Sequence, residues 1–87
     1  PSLSPDGKWV VYAASEQGSG PTDILLRAVG GQTVINLTKD SPAVDMHPAF
    51  SPDGERIAFR SNRDGGGIFV MGRTGESVRR VTSAGFN

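Results

Sequence analysis

The stretch "PAFSPDG", residues 48–54, decides the fold because its last four residues specify a tight turn. A type I β-turn favours Ser at its first position, Pro at its second and Gly at its fourth. Proline fixes φ near the value that the turn needs, and glycine accepts the positive φ that follows in a short hairpin. Asp53 can fold its carboxylate back onto nearby backbone N–H groups. The stretch therefore predicts a connection between two antiparallel strands.

The same pattern, "PSLSPDG", stands at residues 1–7, so residue 1 aligns with residue 48. "WVVYAA" (9–14) then aligns with "RIAFRS" (56–61), and beyond a longer loop in the first copy Ile24 aligns with Ile68. A repeat of about 40 to 47 residues is typical of propeller blades. The residues predicted to form the two structural turns are Ser4, Pro5, Asp6, Gly7, Ser51, Pro52, Asp53 and Gly54.

Each copy contains four short strand candidates separated by turn residues. The middle strands are nearly continuous apolar runs, which is typical of strands covered on both faces. The last strand of each copy mixes in polar residues, as a solvent-exposed edge strand does. We therefore predict an all-β fold of two four-stranded antiparallel β-propeller blades, residues 1–47 and 48–87. The predicted strands are 1–4, 9–14, 24–27, 34–38, 47–51, 56–61, 68–71 and 78–82.

The second copy closely resembles the Pro-Asp repeat of TolB-like β-propellers. The residues that carry the resemblance are "PAFSPDG" (48–54), "IAF" (57–59), "SNR" (61–63), "IFVM" (68–71), Gly75 and "VT" (81–82). The first copy departs more, with Leu3 at the aromatic position and Leu26 and Arg27 in place of Val and Met. The resemblance implies a propeller fold and a periplasmic setting like that of TolB. It leaves function open, because such propellers also accompany peptidases, sugar-acid lyases and kinases.

Two blades bury one sheet face each and leave the other two faces without cover, which is rare on a soluble monomer. We therefore expect either a head-to-tail ring of copies, for example a trimer with six blades, or the rest of a longer propeller. The chain end joined to the chain start reads "FNPSLSPDG", which parallels the internal "MHPAFSPDG". The chain begins at Pro1, so we expect that any native leader or further domain is missing from it.

Residues just before the first strand of each blade are the candidate binding residues, because that strand lines the channel of a propeller. They are Asp45 and His47 for the second blade, and Phe86 and Asn87 at the matching place before residue 1 of a following copy. Asp45 and His47, repeated around a ring, are weak metal-ligand candidates. The alternative is that His47 is an ordinary hydrogen-bonded loop residue.

Several function classes are disfavoured by composition and motif content. Nine basic and nine acidic residues give no surplus for nucleic acid or an anionic membrane, and no apolar run approaches membrane-spanning length. No nucleophile elbow is present, so we expect no peptidase domain within this sequence. The triple glycine at 65–67 lacks the helix and Lys of a phosphate loop, and we expect no cofactor. We predict a non-catalytic scaffold that binds a protein or peptide. The alternatives are a fragment of a metal-dependent lyase or peptidase-associated propeller, and a purely structural self-assembling module.

Overall fold

The computed structural model describes residues 1–15, 20–39 and 43–81, and these residues form two four-stranded antiparallel sheets. The strands of the first sheet, in spatial order, are β1 (Ser2–Leu3), β2 (Trp9–Ala14), β3 (Asp23–Ala28) and β4 (Val34–Asn36). Those of the second are β5 (Asp45–Phe50), β6 (Arg56–Ser61), β7 (Gly67–Gly72) and β8 (Arg79–Arg80). A single 3₁₀ turn, Arg63–Gly65, joins β6 to β7.

This architecture confirms the predicted all-β fold of two four-stranded blades. Strand β5 begins at Asp45, two residues before the predicted start at His47. The division of the chain at Pro48 stays a prediction. No helix within the described ranges has the length and apolar character needed to cross a membrane.

The register of the middle strands decides which side chains share a sheet face. Val11 lies opposite Leu26, and Ala13 lies opposite Ile24, so these four residues point to one face of the first sheet. In the second sheet Phe59 lies opposite Phe69 on one face. Successive side chains of a strand alternate between faces, so the neighbouring residues of each run point the other way.

The core is formed between these two faces. Its buried members are Val11, Ile24, Leu26, Ile57, Phe59, Phe69 and Met71. The rings of Phe59 and Phe69 stack with their centroids 6.0 Å apart. Burial of large apolar side chains from both sheets makes this interface the main favourable term for the packing of one blade on the other.

Polar contacts fix the two sheets along the same interface. The backbone N–H of Phe50 in β5 donates to the Ser2 hydroxyl in β1 at 3.2 Å. The N–H of Asp45 donates to the Thr22 carbonyl at 3.0 Å, and the Thr22 hydroxyl donates back to the Asp45 carbonyl at 2.5 Å. Strand β5 is therefore anchored to the first sheet near both of its ends.

The faces that point away from the core carry apolar side chains, most of them half-buried or exposed, although Leu25 on the first sheet is buried. The first outer face, on the first sheet, contains Leu3, Val10, Tyr12, Arg27 and Val34. The second outer face, on the second sheet, contains Ala49, Ala58, Arg60, Ile68 and Val70. Large exposed apolar patches are rare on soluble monomers.

The two Ser-Pro-Asp-Gly turns pack against each other at one end of the sheets. Gly7 and Gly54 have nearly the same positive φ, 73° and 74°. A Cβ on Gly54 would lie 3.0 Å from the Cδ of Pro5, whereas no atom of the described residues lies within 4 Å of the same position on Gly7. Gly54 therefore allows both the turn and the close approach of the other turn, while Gly7 allows the turn alone.

Gly54→Ala is expected to lower the free energy of unfolding more than Gly7→Ala, which serves as its matched control. Both substitutions place a methyl group at positive φ, which costs about 1–2 kcal/mol. Only the methyl group at position 54 also meets Pro5, and this adds about 1–3 kcal/mol. Urea unfolding of the two variants measures the difference. Equal losses would contradict the close packing of the two turns.

Candidate functional site

The antiparallel strands bring loop residues from both sheets to one end of the molecule. This loop end, opposite the two Ser-Pro-Asp-Gly turns, contains Thr22, Asp45, Ser61, Asn62 and Arg63. Asp45 and Ser61 are register partners at the start of β5 and the end of β6. Because propeller loops on rigid strands carry binding residues, this end is the candidate functional site.

A buried ion pair joins the strands of the second sheet at the loop end. The Asp45 carboxylate is 0% exposed and accepts from Nη2 of Arg63, at 3.2 Å for Oδ1 and 3.4 Å for Oδ2. The Nε of Arg63 donates to the Ser61 hydroxyl at 3.1 Å, and the Arg63 backbone N–H donates to the same oxygen at 3.2 Å. The arginine that follows β6 is thereby fixed to the first residue of β5.

The Arg63 guanidinium also covers the aromatic part of the core. Its carbon atom lies 5.3 Å from the ring centroid of Phe59 and 5.4 Å from that of Phe69. A cation at this distance is attracted to the ring quadrupole, and the attraction is larger where water is partly excluded. The Arg63 side chain is 21% exposed, so it closes the core at the loop end and keeps part of its surface in solvent.

A second carboxylate lies at the loop end of the first sheet. Asp23 accepts from the Asn36 amide at 3.0 Å and from the Thr38 hydroxyl at 3.4 Å. The Thr38 hydroxyl in turn accepts from the N–H of Ile24 at 3.0 Å. These bonds connect β3 to the chain that follows β4, so the side chain of Asp23 is occupied in holding the first sheet together.

His47 lies close to Asp45 in sequence but in a different environment. It is exposed, and its φ of 54° is unusual for a residue that is not glycine. It lies where the register of β5 and β6 shifts between Met46 and Ala49, and a β-bulge of this kind redirects a side chain. Asp45 is buried against Arg63, whereas His47 faces solvent. The predicted role of both residues in binding stays a prediction.

The remaining predicted binding residues, Phe86 and Asn87, lie outside the described residues. Among residues 1–15, 20–39 and 43–81, no three His, Cys, Asp or Glu side chains are grouped as metal ligands would be. The sequence did not mark Arg63 or Ser61 as site residues, because Arg63 lies in a predicted turn and Ser61 at the end of a predicted strand. The pairing of β5 with β6, which brings Arg63 back to Asp45, is a feature of the tertiary structure, so no local sequence pattern marked this pair.

A cleft opens beside the loop end on the side of the second outer face. It has a volume of about 540 Å³ and is lined by Met46, Arg60, Ser61, Asn62, Gly65 and Gly66. The lining combines the side chain of Met46, one cation, two small polar side chains and glycine backbone, and apolar atoms provide most of its exposed area. A largely apolar concave surface with a few polar groups is typical of ligand-binding sites.

Each Ser-Pro-Asp-Gly turn is closed by its own side chains. In the first, the Ser4 hydroxyl donates to Asp6 at 2.5 Å, the N–H of Lys8 donates to the same carboxylate at 3.0 Å, and the N–H of Trp9 donates to the Ser4 hydroxyl at 3.0 Å. The second turn repeats these three bonds at 2.6, 3.0 and 3.1 Å. The two carboxylates are bound within separate turns and do not form an acid–base pair.

These hydrogen bonds lower the pKa of both turn carboxyls. The Ser4 hydroxyl and then the Lys8 N–H lower the pKa of Asp6 below its ordinary value of 3.8, because both donors favour the charged form. The Ser51 hydroxyl and the N–H of Glu55 do the same for the pKa of Asp53.

Comparison with known proteins places the whole chain in one family. The family model described as TolB beta propeller domain matches residues 1–87. The Tol-Pal system protein TolB of Francisella tularensis subsp. mediasiatica (strain FSC147) is 35% identical over 85 residues, which are 94% of this chain and 19% of that protein. TolB of Francisella tularensis subsp. holarctica (strain OSU18) has the same identity and coverage. The chain thus spans about a fifth of the length of the curated relatives it matches.

Solved structures agree with this relationship. The chain is similar to TolB from Acinetobacter baumannii with a TM-score of 0.80 and 32% identity, over 98% of this chain and 21% of that one. A structure assigned to TolB from Agrobacterium tumefaciens gives a TM-score of 0.82 and 30% identity, over 94% of this chain and 29% of that one. With the family model over the whole chain, these similarities confirm the expected resemblance of the chain to the TolB-like propeller family.

Asp45→Asn is expected to lower the free energy of unfolding by about 3 kcal/mol, because it leaves the Arg63 cation without its buried partner. Glu55→Gln, at an exposed carboxylate of the turn end, is the matched control and should change stability little. The double variant Asp45→Asn/Arg63→Gln should recover part of the loss, since no unpaired charge remains. Urea unfolding measures all three variants. A loss for Asp45→Asn no larger than the control would show that the ion pair does not stabilise the fold.

Stability is expected to fall as the pH drops through the lowered pKa values of Asp6 and Asp53. A carboxyl whose folded pKa is depressed contributes stability above its unfolded pKa, and that contribution is lost as the folded carboxyl is protonated. The Ser4→Ala/Ser51→Ala variant should therefore lose less stability between about pH 5 and about pH 2 than the unmodified chain. Thr33→Ala, at an exposed residue outside both turns, is the control. Parallel pH profiles for all three proteins would refute this account.

Proposed function

The chain belongs to the TolB β-propeller domain family, and from this membership we propose that it is a two-blade part of a non-catalytic propeller scaffold that binds a protein or peptide at its loop end. The observation that carries the proposal is the construction of the loop end. The pair of Asp45 and Arg63, and the backbone bonds of Asp45 to Thr22, hold loops of both sheets on one rigid base. A rigid base of this kind lowers the entropy that binding must overcome.

The relatives support a protein ligand. The Francisella tularensis relatives are each named as a protein of the Tol-Pal system. The cleft beside the loop end, with Arg60 and the backbone of Gly65 and Gly66, offers donors and acceptors to a peptide. The exposed His47 at the bulge of β5 lies on the strand that would line the channel of a complete propeller.

The alternative of a channel metal site in a propeller enzyme has no geometric support. Asp45 is fully buried, and both oxygens of its carboxylate accept from Arg63. A metal ion there would have to displace the guanidinium and leave that cation unpaired above the core. His47 and Asp45 are therefore better assigned to binding and to structure, respectively.

Further blades are proposed to cover the two outer faces. The relatives are several times longer than this chain, which supports cover by the rest of a longer propeller. Copies of the chain arranged head to tail would cover the same faces, and the two outer faces provide the surfaces for either arrangement.

The experiment is capture of partners from a bacterial periplasmic extract on the immobilised chain. We expect one stoichiometric partner that is lost with His47→Asp, since Asp tolerates the positive φ but changes charge and shape. Lys8→Asp, at an exposed residue of the turn end, is the control and should retain the partner. Titration calorimetry with the purified partner then measures the affinity of the three proteins. The absence of a partner, or equal binding by the His47→Asp variant, would contradict the proposal.

A further inference from the structure

The contact between the two turns has a direction. Pro5 of the first turn packs on Gly54 of the second, and Gly54 is buried. Gly7 of the first turn has the same backbone conformation but is exposed and has no atom of the described residues near its Cβ position. In this contact the first turn contributes its proline and the second turn contributes its glycine, while the glycine of the first turn stays exposed.

The surroundings of the two turns repeat as well. The N–H of Arg73 donates to the carbonyl of Glu55 at 3.1 Å beside the second turn. The N–H of Val29 donates to the carbonyl of Lys8 at 2.8 Å beside the first turn. Lys8 and Glu55 each follow the glycine of their turn, so Val29 holds in the first sheet the place that Arg73 holds in the second.

The outer faces contain the same repeat positions as the faces of the core. In the repeat alignment, positions 10, 12, 25 and 27 of the first outer face correspond to Ile57, Phe59, Phe69 and Met71. These four residues form the face of the second sheet that packs on the first sheet. Likewise, positions 58, 60, 68 and 70 of the second outer face correspond to Val11, Ala13, Ile24 and Leu26. These four residues form the face of the first sheet that packs on the second sheet. The second outer face of one molecule and the first outer face of another therefore correspond, position by position, to the interface that already exists.

We propose that a second copy of this chain docks head to tail, with Pro52 of one copy on Gly7 of the next and the second outer face of one on the first outer face of the next. The proposal rests on the proposed function, in which further blades cover these faces. It names the occupant and the contact that sets the register. Each added copy presents a new Pro52 and a new second outer face, so the association continues until the ring closes.

Charge makes this interface weaker than the internal one. Arg27 replaces Met71 and Arg60 replaces Ala13 at the aligned positions, so cations stand where the internal interface has apolar groups. Asp6 also has a cation of the other sheet near it: the pKa of Asp6 is lowered by the Ser4 hydroxyl, the Lys8 N–H, the Lys8 charge and the Arg73 charge. Between two copies, Asp53 of one copy would lie near Val29 of the next, because Val29 holds the repeat position of Arg73. The association is therefore expected to depend on concentration.

Sedimentation velocity of the chain over a dilution series tests the proposal. The average mass should rise with concentration. Leu3→Asp, which puts a charge on the first outer face at a residue 63% exposed, should weaken association about tenfold or more. Ile35→Asp, at a residue 48% exposed on the opposite face of the same sheet, is the matched control and should associate as the unmodified chain does. Circular dichroism confirms that each variant remains folded.

Two further variants test the contact that sets the register. Gly7→Ala places a methyl group where Pro52 of the next copy would pack, and it should weaken association while the sheets stay folded. Val29→Arg, at a residue 53% exposed, supplies Asp53 of the neighbouring copy with a cation at the place where Arg73 lies near Asp6, and it should strengthen association in a way that added salt reverses. Ala49→Asp on the second outer face gives a second loss variant if Leu3→Asp fails to fold.

A constant monomer mass for both the unmodified chain and Val29→Arg would overturn the proposal. Association that is unaffected by Leu3→Asp and Gly7→Ala would also overturn it, since another surface would then be responsible. A monomer that still captures a partner sensitive to His47→Asp would refute this inference alone and leave the scaffold function intact.

Discussion

The two sheets are held together by one apolar interface, and the rest of the molecule depends on it. Val11 and Leu26 of the first sheet are buried against a face of the second that contains the stacked rings of Phe59 and Phe69. A single four-stranded sheet of this size has too little apolar area to stay folded in water, so each blade needs the other. The turns, the ion pair and the loop end acquire fixed positions because this interface forms.

The ion pair of Asp45 and Arg63 connects that interface to the candidate site. The guanidinium lies over the two rings of the core and binds the carboxylate at the start of β5. Since a buried charge without its partner is costly, the pair also specifies one arrangement of the loop end. The same residues thus close the core and hold the surface on which a partner would bind.

The turn end shows how a repeat can use one residue twice. The glycine of each Ser-Pro-Asp-Gly turn is needed for positive φ, and Gly54 in addition accepts the proline of the preceding turn. This double use gives a physical reason for the same four residues to recur with an unchanged spacing from the strand that follows. The stacking direction of blades is then set by which turn provides the proline and which the glycine.

The sequence by itself determined the strand number, the turns and the family, because these depend on local rules and on a repeat. Proline and glycine fix φ within the turn, and apolar runs such as "WVVYAA" mark strands whatever surrounds them. The roles of Asp45 and Gly7 needed the tertiary structure. The partner of Asp45 is Arg63, which the chain brings back only after two strands and the turn between them, and no short-range pattern reveals such a pairing. Likewise Gly7 and Gly54 end the same four-residue turn with nearly the same φ, and only the packing of neighbouring blades decides that one is exposed and the other buried.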